Sequence, residues 1–426
     1  MKTSWSLAAK VAVFSAAMIG GACSSDDDAD DANIRTVRGL THCKVVEPGY
    51  DYLGAVMIYT GGFGPRVELA INLAIKEINA AGGVRGRKLG FIGCDTQNDP
   101  TIGSAAAQEL VDTGVVRGVV AVLSDYELLT YYSKFVDAKI PIISTASWAD
   151  EVRTLPDDDY FYRLTRLIPE GTTLGKLALR EGYSRAFLSV FEYNPLPDVR
   201  DDFQAVFDDA EASTSVFPIP STAGYDTAAY EQASAFDPDL YVALALEDSF
   251  SVILNRFSSE GLDLPMYYGS WQRSREFVEV ANNNAYLEGA KALDLENGPR
   301  RSEFQQAFKT LYNDDPVIFG AAAYDGIMLL ATAIQLAGDP EDGSQVRDKL
   351  RAANSGTVVG PGDWATIVSH TSEGEVKYEG ASSVPEFDAA GDLVVTGAQE
   401  VGLTEIQSGK IVDVGCIMVD TAEPCP

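Results

Sequence analysis

Cysteine is the residue type whose spacing most clearly indicates chemistry, and the first of the five cysteines stands near the start of the chain. Cys23 follows the small residues Gly20-Gly21-Ala22, which come after the apolar run Val11–Ile19. This order is typical of an export signal with a lipoprotein cleavage site, so we expect residues 1–22 to be removed and Cys23 to carry lipid. An ordinary export signal or a membrane helix is the alternative, although a membrane helix needs roughly 20 apolar residues.

The other four cysteines are an even number, which in an exported protein suggests two disulfides. Three pairings are possible. Nearness in sequence favours Cys416–Cys425, which leaves Cys43–Cys94 to pin the amino-terminal segment to a predicted strand. Free buried thiols are the alternative.

Other residues that could do chemistry lack the spacing that catalysis or metal binding needs. The two histidines, His42 and His370, stand in no pattern with a nucleophile or with metal ligands. Asp26–Asp28 and Asp157–Asp159 lack the spaced ligands and the glycine of an EF-hand loop. The loop Thr60–Gly64 has the wrong glycine spacing for a nucleotide site. We therefore predict no enzyme, no metal and no cofactor.

Charge and length limit the possible partners. The 426 residues carry a formal charge of −31, and 46% of them are hydrophobic, which is enough for more than one core. Loss of residues 1–22 would remove two lysines and no acid, so the charge would become −33. Nucleic acid and anionic lipid surfaces are poor partners for such a chain, and the charge suits solubility outside the cytoplasm.

The elements that must position a site begin with one strand–helix–strand unit. The apolar run Leu53–Tyr59 stops at a glycine loop, as a buried parallel strand does. Apolar residues then keep helical spacing over residues 67–79, until Gly82-Gly83 ends the helix. Lys88–Cys94 predicts the next strand. Open α/β sheets bind ligands where such strands end.

The same alternation continues along the chain. Val115–Leu123 and Ile140–Ile143 are further apolar runs, each bounded by turn residues or by a predicted helix. The pattern restarts from Gly171. We predict an α/β protein with two lobes, each a doubly wound parallel sheet.

Several motifs in this chain resemble those of a known family. The run Glu77–Leu89, followed by Asp95 and Asn98–Pro100, is similar to the amino-terminal signature of type I periplasmic solute-binding proteins of the branched-chain amino acid and amide group. Ala323–Gly326 and Phe387–Leu393 match later motifs of that family. The resemblance implies two lobes joined by three crossings, with a ligand cleft between them.

The export signal and the resemblance together predict boundaries along the chain. They are a signal peptide at 1–22, an acidic tether at 23–43, a first lobe at 44–166 plus 292–370, and a second lobe at 167–291 plus 371–426.

Ligand-contact residues follow from the resemblance by matching loops and motifs. In the first lobe these are Ser124, Asp125, Tyr126, Ala146, Ser147, Trp148 and Tyr324; in the second they are Tyr193, Asn194, Glu247, Asp248 and Trp271.

Three of these positions depart from the family's pattern. Asp125 stands where the family often has a serine, and Trp148 stands where it has a threonine. In the family, that serine and that threonine bind the carboxylate of amino acids. Trp271 replaces the glutamate that binds the ammonium group. Two tryptophans facing a cleft would suit an aromatic or cationic compound as well as an amino acid or amide. Packing at the lobe edge is the alternative role for each tryptophan.

The implied function is capture of a small molecule by a monomeric, extracytoplasmic lipoprotein that delivers it to the permease of an ABC transporter. A ligand-sensing or surface-interaction lipoprotein with the same fold is the alternative. Ser24 after the acylated cysteine slightly favours the outer membrane.

Overall fold

The computed structural model describes two lobes, each built on its own sheet. The described residues are 34–60, 63–122, 125–148, 150–165, 168–191, 196–220, 224–245, 247–273, 275–280, 284–351, 356–370, 376–394 and 400–426. Cys23, the predicted lipid attachment site, lies outside them.

The strands are β1 (Cys43–Glu47), β2 (Asp51–Met57), β3 (Leu89–Asp95), β4 (Val116–Val122), β5 (Ile142–Ser144), β6 (Phe161–Arg163), β7 (Arg185–Phe191), β8 (Ser213–Ile219), β9 (Leu240–Leu244), β10 (Met266–Tyr268), β11 (Lys291–Asp294), β12 (Thr357–Val359), β13 (Val376–Tyr378), β14 (Glu400–Gln407) and β15 (Lys410–Met418). The helices are α1 (Gly64–Ala80), α2 (Pro100–Asp112), α3 (Asp125–Asp137), α4 (Glu170–Arg180), α5 (Leu196–Asp209), α6 (Asp226–Phe236), α7 (Glu247–Ser259), α8 (Arg275–Val280), α9 (Arg301–Tyr312), α10 (Gly320–Leu336), α11 (Gly343–Leu350) and α12 (Trp364–His370). A short 3-10 helix spans Ser270–Gln272. No helix in the described ranges is both long and apolar enough to cross a membrane.

The first lobe confirms the predicted strand–helix–strand unit. Its sheet has the order β1-β3-β2-β4-β5-β6, and β2 is buried along its whole length. The apolar face of α1 is buried, and Gly82 and Gly83 follow the helix with positive φ values of 100° and 73°. Glycine adopts such angles without a steric penalty, which explains why the helix ends there.

The second lobe repeats this plan. Its sheet has the order β15-β14-β11-β10-β9-β7-β8, in which β14 and β15 are antiparallel and the other strands are parallel. A buried apolar cluster covers each face of the sheet. The α/β fold with two sheet lobes is therefore the one that the sequence predicts.

The lobe boundaries differ from the predicted ones in two places. Strand β11, which contains the predicted boundary at 292, pairs with β10 and β14 and so belongs to the second lobe. Residues 376–394, predicted to lie in lobe 2, pack on the first lobe. The carboxylate of Asp325 in α10 holds them, accepting hydrogen bonds from the Tyr378 hydroxyl at 2.8 Å and the Ser382 N–H at 2.7 Å.

The predicted tether also ends earlier than residue 43. The side chain of Glu109 accepts backbone N–H groups of Thr41, His42 and Cys43, so this part of the segment is fixed on α2. Strand β1, which the sequence pattern did not predict, pairs with β3.

The structure contains both of the disulfides favoured above. Cys43–Cys94 links β1 to β3, and Cys416–Cys425 links β15 to the last residues of the chain.

Candidate functional site

A narrow cavity of about 20 Å³ lies between the lobes, where β5 and β10 end. The segment Thr145–Trp148 follows β5, and the 3-10 helix Ser270–Gln272 follows β10. The start of α10 closes a third side. The cavity is lined by Thr145, Trp148, Leu164, Thr165, Ser270, Arg273, Leu295, Glu296, Ile318, Phe319 and Ala322.

Aromatic side chains form the first-lobe wall of this cavity. The ring of Phe319 lies 5.7 Å from that of Trp148 and 5.3 Å from that of Phe63, measured between centroids. Phe319 has a φ of 65°, in the left-handed region that a bulky residue rarely adopts. Such backbone strain is concentrated at binding and catalytic sites, and here it occurs at the residue that places an aromatic ring in the cavity.

Trp271 reaches both lobes. Its side chain packs against the buried apolar clusters of the first and of the second lobe. Its ring lies over Gly269, where a Cβ would come within 2.2 Å of Cζ2 of the indole. The indole N–H is buried and has no hydrogen-bond partner among the described residues. Trp271 is therefore a contact between the lobes with an unused donor.

Glu296 joins a crossing segment to the aromatic wall. Its carboxylate accepts the backbone N–H of Phe319 at 2.8 Å and that of Ala322 at 2.9 Å, at the start of α10. A negative group at a helix amino terminus is electrostatically favourable. Burial nevertheless raises the pKa of Glu296 to about 7, because desolvation penalises the charged form more than these hydrogen bonds favour it.

Two arginines share one carboxylate beside the cavity. Asp294 contacts Arg273 at 2.6 Å and Arg301 at 2.5 Å. Burial by itself would raise the pKa of Asp294, but the two guanidinium charges outweigh it and hold that pKa below its usual value. Asp294 is thus a buried anion between two cations.

Glu170 fixes the loop that carries Trp271. Its carboxylate accepts the Ser270 N–H at 2.7 Å and the Ser270 hydroxyl at 3.0 Å. Burial raises the pKa of Glu170 to about 7. The start of α4 and the 3-10 helix are joined by these two bonds.

A larger cavity of about 810 Å³ adjoins the narrow one. Arg273, Glu296 and Ile318 line both cavities. Its other walls come from α9 and the α9–α10 loop on one side, and from α8 and the β14–β15 turn on the other. The space between the lobes therefore has a narrow aromatic part and a wide charged part.

The predicted first-lobe residues have different roles. Asp125 accepts hydrogen bonds from the Ser147 hydroxyl and, at 3.0 Å, from the Trp148 backbone N–H. Ala146 and Ser147 are buried, so with Asp125 they position Trp148, which lines the cavity. Tyr126 is 63% exposed and lines neither of the two cavities.

Tyr324 does not belong to the cleft. Its side chain is fully buried in the first-lobe core, where its hydroxyl donates to Glu77 and accepts the Gly362 N–H at 3.1 Å. The helix α10 is buried nearly all round, so its motif marks core packing between α1 and the sheet rather than ligand contact. The prediction for Tyr324 was therefore wrong.

Some predicted positions cannot be placed against the cavity. Ser124, Tyr193 and Asn194 lie outside the described residues, as do the side chains of Glu247 and Asp248.

Sequence reasoning missed Arg273, Glu296 and Phe319. Arg273 stands two residues after the predicted contact Trp271, so its position carried a local signal. Glu296 stands two residues after the last residue of β11, a strand that the sequence analysis did not predict. Phe319 carried no local signal, because its backbone angle depends on contacts made across the cleft.

The chain is similar in sequence to known solute-binding proteins. A family model described as periplasmic binding protein matches residues 58–373. A binding protein for leucine, isoleucine, valine, threonine and alanine from Pseudomonas aeruginosa is 24% identical in an alignment of 307 residues that covers 68% of this chain and 78% of the relative.

Solved structures show the same fold at low identity. The branched-chain amino acid transporter substrate-binding protein of Streptococcus pneumoniae, in complex with isoleucine, is 18% identical with a TM-score of 0.70, over 86% of this chain and 99% of that one. A solute-binding protein of Rhodopseudomonas palustris in complex with 3,4-dihydroxybenzoic acid is 18% identical with a TM-score of 0.66, over 87% and 97%.

These relatives are solute-binding proteins, in agreement with the prediction that the chain is not an enzyme. Because the family model spans most of the sequence and the fold has the same two lobes, the chain belongs to the periplasmic binding protein family.

Proposed function

We propose that this protein captures a small solute between its lobes and delivers it to an ABC transporter. The observation that carries the proposal is the narrow cavity, to which Trp148 and Phe319 contribute from the first lobe and Ser270 and Arg273 from the second. A solute there gains contacts with both lobes only when they are closed, so binding favours closure. Closure is a change of shape that a permease can recognise.

The walls favour a flat apolar or aromatic solute over a leucine-like one. Two ring-bearing side chains, Trp148 and Phe319, line the cavity, and the hydroxyls of Thr145, Thr165 and Ser270 offer polar contacts. By the resemblance described above, Trp271 replaces the glutamate that pairs with the ammonium group of an amino acid ligand. Burial of that ammonium group without an anion would cost free energy. Arg273 in the same wall also disfavours a cationic solute.

Binding requires the cleft to open. The narrow cavity of about 20 Å³ exceeds by little the roughly 10–15 Å³ that one water needs, so it is too small for an amino acid or a benzoate. A solute must enter while the lobes are apart, and must widen the space between Trp148 and Phe319 on one side and Ser270 and Arg273 on the other.

A thermal-shift screen tests capture. The purified chain would be heated with amino acids, amides, polyamines and aromatic acids, each in excess. A solute present at 100 times its Kd stabilises the folded state by about 2.7 kcal/mol, so its melting temperature should rise by several degrees. We expect aromatic compounds to give the largest rise. No rise with any compound would contradict capture of these solutes.

Delivery to a transporter is tested in the source cells with a labelled form of the solute that the screen identifies. Deletion of the gene should abolish high-affinity uptake, and its return should restore it. Normal uptake together with a lost transcriptional response to the solute would instead favour the sensing role, which the same fold can serve.

Anchoring through Cys23 is part of the proposal. The support is the order of charged, apolar and small residues before Cys23. Cells fed an alkyne-tagged fatty acid should label the wild-type chain but not Cys23→Ala. Fractionation of the labelled chain would then distinguish the outer membrane, which Ser24 slightly favours, from the inner one. We propose that the chain acts as a monomer, which sedimentation of a form starting after Cys23 would test.

A further inference from the structure

We propose that Arg301 and Asp294 form a strut across the hinge between the lobes, at the crossing that passes through Leu295, and that this strut favours the closed arrangement. The inference rests on the proposed function, because capture of a solute requires the lobes to move apart. Its test needs no solute, so the strut and solute capture can fail separately.

This crossing passes from one lobe to the other within a single residue. Asp294 is the last residue of β11, and it pairs with Gly402 in the second-lobe strand β14. Glu296, only two residues later, is already fixed on the first lobe, because its carboxylate accepts the N–H groups at the start of α10. Leu295 therefore lies between two residues that belong to different lobes. Hinges between moving lobes are a few such residues at the ends of elements.

The next residues of the crossing are also fixed on the first lobe. The N–H of Gly298 donates to the Ala381 carbonyl at 2.9 Å, and the N–H of Arg300 donates to the Gly380 carbonyl at 3.1 Å. Both carbonyls belong to the segment 376–394, which packs on the first lobe as described above. The crossing therefore has little freedom to bend beyond its first residue.

Arg301 reaches back past the hinge residue to the second lobe. It begins α9, whose Phe304 and Phe308 are buried in the first-lobe core. Its guanidinium group contacts the Asp294 carboxylate at 2.5 Å, and Arg273 holds the same carboxylate from the second-lobe side at 2.6 Å. One end of the Arg301–Asp294 ion pair therefore moves with each lobe.

The surroundings of this ion pair strengthen it. The side chains of Arg301 and Asp294 are 17% and 2% exposed, so salt screens their attraction only weakly. Burial by itself would lower the pKa of Arg301, but nearby charges, chiefly Asp294 and Asp413, raise it above its usual value. Asp413 lies in β15, so a second acid of the second lobe attracts the same arginine. Separating the partners of a buried ion pair is unfavourable, which is why the strut opposes opening.

Spin labels on the two lobes test the strut in a form of the chain that starts after Cys23. Leu129→Cys on α3 and Val252→Cys on α7 provide the attachment sites, since each native residue is 40% exposed and lines neither cavity described above. The four remaining native cysteines are paired in disulfides, so the labels attach only to the new ones. Double electron–electron resonance then measures the distances between the lobes without solute.

Arg301→Gln should at least double the fraction of molecules with the longer distance of the open form. Arg301→Lys keeps the positive charge, so its distances should lie between those of wild type and Arg301→Gln. Arg300→Gln is the matched control, because Arg300 pairs with Asp363 and Glu303, both on the first-lobe side of the hinge. This control should keep the wild-type distances. Circular dichroism would confirm folding, and if Arg301→Gln does not fold, the comparison of Arg301→Lys with wild type decides.

The outcomes separate the strut from solute capture. Unchanged distances in the Arg301 variants that fold, or an equal shift in Arg300→Gln, would overturn the strut. If either result occurs while a solute still raises the melting temperature, capture stands and only the strut falls. A shift confined to the Arg301 variants supports the strut, whether or not any compound of the thermal-shift screen binds.

Discussion

The carboxylate of Glu296, just beyond the last parallel strand of the second lobe, accepts the backbone N–H of Phe319 in the first lobe at 2.8 Å. Phe319 is the residue with positive φ whose ring packs on Trp148. A hydrogen bond contributes roughly 0.5–1.5 kcal/mol, and more when its acceptor is ionised, which offsets part of the strain of that backbone. The crossing between lobes and the aromatic wall are thus mechanically linked.

Removal of the Glu296 charge should alter the pH dependence of stability. Burial raises the pKa of Glu296 to about 7 from about 4.5, so the stabilising effect of its proton is complete below pH 4.5 and is lost as the pH rises through 7. The free energy of unfolding should therefore fall between pH 5 and pH 8. In Glu296→Gln the fall should be smaller, by an amount of order 3 kcal/mol at most.

Urea unfolding at several pH values measures this effect. Burial also raises the pKa of Glu170 to about 7 and that of Asp325 to about 6. In Glu296→Gln these two groups should still cause part of the fall in the free energy of unfolding. An identical slope in wild type and Glu296→Gln would show that Glu296 is charged throughout this range.

Truncation of either tryptophan should weaken solute binding. Trp148→Ala removes an aromatic wall of the narrow cavity, and Trp271→Ala removes the indole that packs against both lobes next to Ser270, so we expect each change to cost at least tenfold in affinity. Calorimetry with the compound found by thermal shift measures the change. Leu129→Ala is the control, since Leu129 is 40% exposed on α3 and lines neither described cavity. Unchanged affinity in both tryptophan variants would contradict the position of the site.

Gly269→Ala should disturb binding without touching the solute. The new methyl group would lie 2.2 Å from the Trp271 ring, so the indole must move. We expect weaker binding and a shifted tryptophan emission. Gly103→Ala in α2 is the matched change, because its methyl group would meet Thr96 at an ordinary 3.4 Å. If the two variants bind the solute equally well, binding does not require the contact between the Trp271 ring and Gly269.

The two disulfides should differ in their contribution to stability. Cys43–Cys94 joins residues 51 apart and Cys416–Cys425 residues nine apart. Loss of chain entropy in the unfolded state predicts about 4 kcal/mol for the first and about 2.5 kcal/mol for the second. Urea unfolding of the two double alanine variants compares them. A larger loss from the short loop would contradict the entropic explanation.

The sequence predicted the parts of the fold that local pattern controls. Strand β2, helix α1 and strand β3 follow from apolar spacing and from Gly82-Gly83. Trp148 was assigned by resemblance to the family rather than by local pattern; it lines the narrow cavity, and its contact with a solute stays a prediction. The bond between Glu296 and Phe319 could not be predicted, because the two residues are joined only through packing between lobes.

Tyr324 is a residue for which the prediction from the sequence was wrong. Its motif identified the right helix, but which face of a helix meets the cleft depends on the sheet beneath it and on α1 beside it. The pairing of β1 with β3 was missed for a similar reason, since a short edge strand has too few buried positions to show a pattern.

Tryptophan fluorescence tests the central claim most directly, because Trp148 lines the narrow cavity and Trp271 packs between the lobes. After removal of residues 1–22, only Trp148, Trp271 and Trp364 remain. Trp364 is buried in the first-lobe core, where its indole N–H donates to the Gly83 carbonyl at 3.0 Å. The solute should change the emission of wild type and of Trp364→Phe. The change should vanish in Trp148→Phe/Trp271→Phe. A signal that persists in this double variant and is lost in Trp364→Phe would contradict binding between the lobes.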